Sequence, residues 1–415
     1  MKLSLAVALF SFGVGLIFVA TPQTGLALRM TSQELGVLGT GLALGYAAGC
    51  LLFGQVLRRY QCKHVLLGGV VIALLAAWGM ARAQAVQTCV LAQLAFGVAS
   101  GAFWPFASAW MLDFTREELG KTTILRFYNV AWTSGGAAGM CCAGLLCNKE
   151  GPATTFYLAG VVIILCGASA LLVPASGGQA ARGPGSAGFQ PALGCGQAAC
   201  STNEGRQDAC APRRKIGAPL LIAAVLANLL VLATKAAVIN NYPELNKYLN
   251  FQAGRMGLLT AAILAGQLFG FLIGALYEPF LGRRSMYACM AASLVLINLA
   301  VAYMLSLPVL VAAMLLCGMV AALAFQTAIL AATEYFRLPR TGTTFHEAMV
   351  GVGGLGALAA GTIVEQAKAA GAAPLAALRA PFIVLAVTVA AALLLQLILV
   401  TRCARDRVLL SAVRG

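Results

Sequence analysis

Long runs of hydrophobic residues, interrupted at fairly regular intervals by short polar segments, dominate the chain. A helix needs about 20 apolar residues to cross a hydrocarbon core about 30 Å thick. Twelve stretches meet this length. They lie at approximately 3–22, 33–56, 64–83, 88–112, 123–146, 153–173, 217–241, 253–277, 285–305, 307–333, 342–366 and 377–401. The pattern predicts an all-α membrane protein with twelve transmembrane helices, and the even number places both termini on one side.

A polar segment divides these stretches into two sets of six. Residues 175–216 are rich in Gly, Ala and Pro, which predicts a flexible linker. Its cysteines, Cys195, Cys200 and Cys210, match no standard zinc spacing and have no nearby His, so we predict no metal site. We therefore expect a six-helix bundle over 1–174, a cytoplasmic linker over 175–216, and a second bundle with a short cytoplasmic tail over 217–415.

The two sets of six helices repeat each other in sequence. An offset of 221 residues aligns Gly with Gly and Leu with Leu in spans two and four, and an offset of 218 does so in span five. The aligned pairs include Gly36 and Gly257, Leu38 and Leu259, Gly45 and Gly266, Gly49 and Gly270, Gly97 and Gly318, Asp113 and Glu334, Arg116 and Arg337, Phe127 and Phe345, Gly135 and Gly353, and Gly136 and Gly354. Matches that recur between span two and span five indicate a tandem repeat, which is common in transporters.

Composition excludes an ordinary soluble enzyme. Of the 415 residues, 60% are hydrophobic and 10% are charged, against about 45–50% and about 25% in typical soluble domains. A membrane-embedded enzyme would need a set of catalytic groups, but the chain has only two His, His64 and His346, and no paired carboxylates within the spans. We expect no enzymatic activity and no cofactor.

The net charge of +15 is explained by membrane topology rather than by nucleic-acid binding. With the N-terminus in the cytoplasm, 20 of the 28 Lys and Arg lie in cytoplasmic segments and 7 on the opposite side. Positive residues are retained in the cytoplasm, so we predict that both termini are cytoplasmic. A cleaved signal peptide in the first span is the rival interpretation, but it would leave eleven spans. The short tails favour a bacterial inner membrane, and we expect a monomer in contact with the lipid bilayer.

The segment after span two resembles a motif of the major facilitator superfamily of secondary transporters, G-x-L-x-D-R-x-G-R-R. Here it is GQVLRRYQCK, in which Gly54 and Arg59 match while Arg58 replaces the acidic residue. The second copy, GALYEPFLGRR, keeps Gly274, Glu278, Gly282, Arg283 and Arg284. The resemblance covers the chain apart from the linker and tails. Span four carries Gln93 where many proton-coupled exporters of the family have Arg, which argues against their coupling mechanism.

The resemblance implies the major facilitator fold, with two six-helix pseudo-repeats that rock to expose a central substrate alternately to each side. It implies a secondary active transporter for a small organic solute, and a nontransporting receptor or scaffold of the same fold is the alternative. Aromatic and amide side chains suit sugars, nucleosides or amphipathic molecules. The candidate substrate-binding residues are Trp104, Tyr128, Asn129, Trp132, Asn228, Gln326 and His346. For each, packing between helices is the competing interpretation.

Two ionisable residues fall within the predicted spans. Glu347 is the candidate for proton coupling, because charge inside a membrane is costly and burial favours the neutral carboxyl. The alternative is a pair with Arg340 or Arg126 near the cytoplasmic end. Adjacent helix positions diverge by about 100°, so His346 and Glu347 should face different neighbours. For Lys235 we expect snorkelling toward the outer interface rather than binding of an anion.

Charged residues at the predicted cytoplasmic face form a candidate gate between the halves. The repeat aligns acidic and basic members of this set, which could pair across the halves in one state. Isolated surface pairs contribute only about 0–1 kcal/mol each, so a gate needs several together. The members are Arg59, Asp113, Arg116, Glu278, Arg283, Glu334 and Arg337. Positive residues retained in the cytoplasm are the simpler explanation.

Overall fold

Thirteen helices form the described part of the chain, in a computed structural model that describes residues 2–56, 62–114, 121–173, 217–249, 253–274, 283–304, 306–336 and 339–412. No strand occurs among these residues. The helices are α1 Lys2–Ala27, α2 Ser32–Val56, α3 Cys62–Ala81, α4 Val86–Phe114, α5 Lys121–Lys149, α6 Pro152–Leu171, α7 Ala218–Tyr248, α8 Ala253–Leu272, α9 Arg284–Tyr303, α10 Leu307–Phe336, α11 Pro339–Gly353, α12 Gly356–Ala369 and α13 Pro374–Ala412. The linker predicted over 175–216 lies outside the described residues.

Twelve segments of the described chain are long and apolar enough to cross a membrane. Eleven correspond to single helices, and α11 and α12 together form the twelfth, Thr341–Ala369. The predicted number of spans is therefore confirmed. We call the side on which α1 begins the terminal face, and the side on which α1 ends and α2 begins the distal face.

The helices bury one large hydrophobic core in each half of the chain, and a small cluster of α7 and α10 residues lies beside the second. The first core is formed by α1–α6, with Ala261 and Leu264 of α8 added at its edge. The second is formed by α7–α10, α12 and α13. Large apolar side chains such as Leu91 and Val387 remain about two-thirds exposed on the outside of the bundle. An apolar exterior of this kind suits contact with lipid.

Matched pairs of helices join the two halves. α5 packs on α8, and α2 packs on α11 and α12. Glycine permits both contacts, because a methyl group on Gly257 would lie 2.6 Å from Gly144 Cα and one on Gly36 would lie 2.6 Å from Ala357 O. Small residues at helix interfaces allow such close backbone approach.

The sequence repeat also appears in the packing within each half. A methyl group on Gly97 of α4 would lie 3.0 Å from the carbonyl carbon of Gly45 in α2. Its counterpart on Gly318 of α10 would lie 2.9 Å from the carbonyl carbon of Gly266 in α8. Residues that the offset of 221 aligns therefore make the same helix crossing in both halves. This agreement confirms the fold class of two six-helix pseudo-repeats.

The span predicted as one helix over 342–366 is broken near its middle. α11 ends at Gly353, and a tight turn follows in which Gly354 N donates to Gly351 O and Leu355 N donates to Val352 O. The turn rests against α2, where a methyl group on Gly354 would collide with Ala43 Cβ. The aligned glycines of α5, Gly135 and Gly136, lie inside an unbroken helix. Hydrophobicity alone does not distinguish the two cases.

Candidate functional site

A row of aromatic rings crosses the boundary between the two halves. In the N-terminal half, Trp104 of α4 packs edge-on against Phe10 at 5.4 Å and against Trp132 of α5 at 6.3 Å between ring centroids. Trp132 then meets Phe271 of α8 at 6.0 Å. The row continues through Phe325 of α10, 5.9 Å from Phe271, to His346 of α11, 4.4 Å from Phe325. We call these six residues the aromatic row.

The sequence repeat relates the two ends of this row. The offset of 221 aligns Trp104 with Phe325, and the offset of 218 aligns Tyr128 with His346. Both aligned pairs are in edge-on ring contact, Trp104 with Tyr128 at 6.3 Å and Phe325 with His346 at 4.4 Å. Each half thus presents one aromatic pair toward the boundary. Edge-to-face ring pairs contribute about 0.5–1.5 kcal/mol beyond their buried area.

Four of the predicted binding residues lie together in the N-terminal half. Trp132 Nε1 donates to Asn129 Oδ1 at 3.1 Å, and the Tyr128 hydroxyl donates to Trp104 O at 3.5 Å. The first contact orients the indole ring of Trp132, and the second ties the Tyr128 side chain to the backbone of α4. They also use the polar atoms of Trp132 and Tyr128, which leaves ring faces rather than donors for a solute.

The other three predicted binding residues lie in the C-terminal half. His346 is buried, and within the described part of the chain its Nε2 atom has no hydrogen-bond partner. Asn228 of α7 is also buried, and its Nδ2 atom likewise has no hydrogen-bond partner among the described residues. Gln326 packs its amide over Gly274, where a methyl group would lie 2.6 Å from Nε2. Buried polar atoms without partners are costly, so Nε2 of His346 and Nδ2 of Asn228 are candidate positions for a ligand contact.

Glu347 joins the two halves through a hydrogen bond. It lies on α11 six residues after Thr341, where the span begins, and it accepts a hydrogen bond from the Tyr46 hydroxyl of α2. Cys50 of α2 and Tyr128 of α5 lie within electrostatic range of its carboxyl group. The expected divergence of neighbours is observed, because His346 packs on Phe325 while Glu347 faces Tyr46.

The predicted snorkelling of Lys235 is wrong. α7 continues to Tyr248, seven residues beyond the predicted end, so Lys235 lies 17 residues after Ala218 and 13 before the helix end. At a rise of 1.5 Å per residue, it is about 20 Å from the nearer end of the helix. Its ammonium donates instead to Gln267 Oε1 of α8 at 3.0 Å. The predicted end of α7 at residue 241 therefore placed Lys235 too close to the end of the helix.

A polar cluster at the distal face also joins the halves, and sequence reasoning missed it. Lys368 of α12 donates to Glu244 Oε1, Glu365 Oε1 and Ser32 Oγ, each at 3.1 Å. Ser32, the first residue of α2, donates its amide to Glu365 Oε1 at 3.1 Å and its hydroxyl to Glu244. We call these four residues the distal latch. Glu365 and Lys368 are three residues apart on one helix, which a local pattern can show. Ser32 and Glu244 lie at the ends of helices far away in sequence, so no local pattern could reveal their contact with Lys368.

The gate predicted at the terminal face lies mostly beyond what the structure describes. Asp113 and Glu334 fall on α4 and α10, and Arg283 is an exposed residue at the start of α9. The remaining members, Arg59, Arg116, Glu278 and Arg337, lie outside the described residues, and so do Arg58 and Gly282 of the two motif copies. The gate stays a prediction. Gln93, the departure in span four, donates to Thr21 Oγ1 of α1 at 2.5 Å within the N-terminal half.

Tyr46, Gln267 and the rings of Phe10, Phe271 and Phe325 were not among the predicted site residues. Tyr46 is the only tyrosine of its glycine-rich span, and the offset of 221 aligns it with Gln267. Each of the two bonds an ionisable residue of another helix, Glu347 and Lys235 respectively. The repeat therefore contained information on both positions, and comparing polar residues rather than glycines would have found it.

Comparison with known proteins adds both sequence and structural matches. The family model of the Major Facilitator Superfamily matches residues 3–233, whereas no curated protein matches the sequence. A mutant of nucleoside transporter NupG has a TM-score of 0.72 at 14% identity, covering 95% of this chain and 98% of that one. A bacterial homologue of the human lysosomal transporter Spinster, inward-facing and unoccupied, has a TM-score of 0.69 at 13% identity, covering 98% and 97%.

These identities are low, so the solved structures establish the likeness of the fold alone. The family model, by contrast, matches more than half of the chain, and the described residues supply twelve membrane-spanning segments in two repeated halves. The chain therefore belongs to the Major Facilitator Superfamily of secondary transporters and is an integral, multi-pass membrane protein.

Proposed function

We propose that this protein moves a small organic solute across the membrane by alternating access and that Glu347 couples the movement to protons. The single observation that carries the proposal is the hydrogen bond from Tyr46 to Glu347, because it links an ionisable carboxyl group to the contact between the halves. The aromatic row at the same boundary supplies ring surfaces for the solute.

The coupling follows from the strength of this bond in the two protonation states. A hydrogen bond to an ionised carboxylate is roughly twice as strong as one between neutral groups. An ionised Glu347 therefore favours contact between α2 and α11, and a proton on the carboxyl weakens that contact. The described groups that face Glu347 from neighbouring helices are Tyr46, Cys50 and Tyr128, none of them a cation, so the proton meets no competing counter-ion among them.

Finding a substrate comes first. Ligands that bind only the folded state raise the thermal unfolding midpoint by mass action. We would screen the purified protein against sugars, nucleosides, amino acids, organic anions and lipophilic cations. Nucleosides are included because the structurally similar NupG is a nucleoside transporter. A ligand that shifts the midpoint, but whose shift is lost in Trp104→Ala or Trp132→Ala, becomes the compound for flux measurements.

Proteoliposomes with an imposed proton gradient then test the coupling. We expect the wild type to concentrate the compound inside the vesicles, whereas Glu347→Gln should lose this accumulation and keep exchange of labelled for unlabelled compound. Glu150→Gln is the matched control, because Glu150 is exposed at the distal connection between α5 and α6. Accumulation by Glu347→Gln under the same gradient would contradict the coupling role.

The alternative of a receptor or scaffold makes a different prediction in the same experiment. A receptor binds the compound and shows the unfolding shift, but it supports neither accumulation nor exchange in proteoliposomes. Such a result would remove the transport proposal while leaving the binding residues in place. An enzyme would alter the compound chemically, which mass analysis of the vesicle contents would reveal.

A further inference from the structure

A positive charge lies deep in the C-terminal half without a described negative partner. Lys235 donates to the neutral amide of Gln267, and the described ion pairs all belong to Lys368 at the distal face. Glu347 accepts its bond from Tyr46, and Glu244 and Glu365 are held in the distal latch. Among the described residues, therefore, no carboxylate neutralises Lys235.

Burying an ammonium group without a negative partner inside a membrane is energetically unfavourable. Charged side chains inside a membrane are rare, usually pair with one another, and by default mark a functional site. An ammonium has three donors, and the described contacts of Lys235 use one of them. Its other described neighbour in electrostatic range is the thiol of Cys317 on α10. Gln267 alone leaves most of the bonding capacity of the ammonium unused.

A second polar group on the same helix face also lacks a partner. Asn228 precedes Lys235 by seven residues, two helical turns, so both project from one side of α7. It is 2% exposed, and its Nδ2 donor has no partner within the described residues. Long side chains on a helix lean toward its N-terminus, which directs Lys235 toward Asn228. The unpartnered Nδ2 donor of Asn228 and the remaining donors of Lys235 therefore face the same region.

This region adjoins the boundary between the halves. Gln267 lies one turn before Phe271 on the same face of α8, and Phe271 is the residue of the aromatic row that meets Trp132 across the boundary. Lys235 and Gln267 both belong to the C-terminal half, so their bond does not depend on contact with the other half. The donors are therefore in place before the halves close around a solute.

We propose that Lys235, oriented by Gln267 and assisted by Asn228, binds the carboxylate of a ring-bearing organic acid, whose ring packs against the aromatic row. The proposal rests on the transport function above and names the chemical class of its substrate. A carboxylate would provide a negatively charged partner for the Lys235 ammonium. Its oxygens would also accept a hydrogen bond from Asn228 Nδ2.

Matched acids and amides test this assignment by binding alone, independently of flux. We would measure the thermal unfolding midpoint of the purified full-length protein with benzoate against benzamide and with nicotinate against nicotinamide. The two members of each pair share a ring and differ in charge. We expect the acids to raise the midpoint and the amides to leave it unchanged. Equal stabilisation by acid and amide, or no response to either acid, would overturn the carboxylate assignment.

Variants of the lysine separate binding from folding. Lys235→Gln should weaken binding of the acid by about tenfold to a hundredfold, the loss expected for a hydrogen bond between charged groups, and Lys235→Arg should keep part of it. Lys247→Gln is the control, since Lys247 is an exposed lysine of the same helix and its replacement should change nothing. Undiminished binding in Lys235→Gln would overturn the proposal.

Stability without ligand provides the second readout. A side chain that serves function often destabilises the folded protein, so replacing it with an apolar residue can increase stability. Lys235→Met should therefore raise the unfolding midpoint of the ligand-free protein, because it removes a charge that lacks a counter-ion. A structural lysine would behave in the opposite way, and a lowered midpoint for Lys235→Met would assign Lys235 to packing. Transport can still fail in proteoliposomes while acids bind, so the two proposals fail in distinguishable ways.

Discussion

At the scale of single residues, glycine sets how closely the helices of each half approach. Gly97 and Gly318 occupy aligned positions in α4 and α10, where a methyl group would lie 2.7 Å from Tyr46 N and 2.6 Å from Gln267 N. Backbone atoms cannot move aside as the end of a flexible side chain can. These two glycines are therefore required by contact rather than by backbone conformation.

The close approach predicts a large effect for one methyl group. Gly97→Ala and Gly318→Ala should each destabilise the protein by about 1–3 kcal/mol, the usual cost of overpacking, seen as a lower unfolding midpoint in detergent. Gly68→Ala in α3 is the control, because no atom lies within 4 Å of the added methyl. There the better helix propensity of Ala should leave the midpoint equal or higher. A lowered midpoint in the control alone would refute the packing argument.

The candidate site shows which residue properties could be predicted. Of the seven predicted binding residues, four lie in contact with one another, and three of these fall within five residues of one helix. The four are Trp104, Tyr128, Asn129 and Trp132. Phe271 and Phe325 belong to other helices and looked like ordinary apolar residues of their spans. Their role in the aromatic row depends on which side of each helix faces the boundary.

At the scale of helices, the distal latch connects the start of α2 with the ends of α7 and α12. Lys368 and Glu365 lie three residues apart on one helix, and Lys368 adds Glu244 and Ser32 from two others. The acidic partners and the lysine are about one-fifth to one-third exposed, so each pair alone stabilises the contact little. The effect comes from several bonds acting on one contact.

Removing the central lysine should loosen this contact. In Lys368→Ala we expect faster hydrogen–deuterium exchange of backbone amides at the start of α2 and at the end of α12, because those helix ends lose their shared partner. Lys247→Ala, an exposed lysine at the end of α7, serves as the control. An unchanged exchange rate in Lys368→Ala would contradict this expectation. It would mean that the close packing of α2 on α12 at Gly36 and Gly361 holds the distal face together without the distal latch.

At the scale of the whole molecule, the even number of spans returns the chain to the terminal face. The described helices place both ends of the described chain on that face, whereas its identity as the cytoplasmic side rests on the distribution of Lys and Arg. That distribution, 20 against 7, is a property of the sequence. The orientation of the protein in the membrane is therefore predicted from the distribution of charge, whereas the arrangement of the helices is seen in the structure.

Fusion proteins test the orientation. A green fluorescent protein fused after Gly415 should fluoresce, and alkaline phosphatase at the same site should be inactive, because the former folds in the cytoplasm and the latter outside it. Phosphatase inserted after Glu150, at the distal connection between α5 and α6, should be active. The reverse pattern would invert the membrane topology while leaving the fold unchanged.

The sequence alone determined the class of this protein, the number of its spans and its repeat. These follow from hydrophobic length and from glycine register, both of which are local properties of the chain. The position of Lys235 was missed because α7 continues through the mostly polar residues 240–248, beyond the end of its apolar run. The break at Gly354 was missed because the aligned glycines Gly135 and Gly136 occur in an unbroken helix. Hydrophobicity determines how much chain is buried, but not where a helix ends.

Only the tertiary structure decided which polar groups meet. Tyr46 and Glu347 are 301 residues apart, and Ser32 and Lys368 are 336 apart, so no local pattern could pair them. Their contacts arise because the two halves pack α2 against α11 and α12. The physical reason is one of scale: span length and helix register are set by neighbours along the chain, whereas a hydrogen bond between halves depends on how whole bundles fit together.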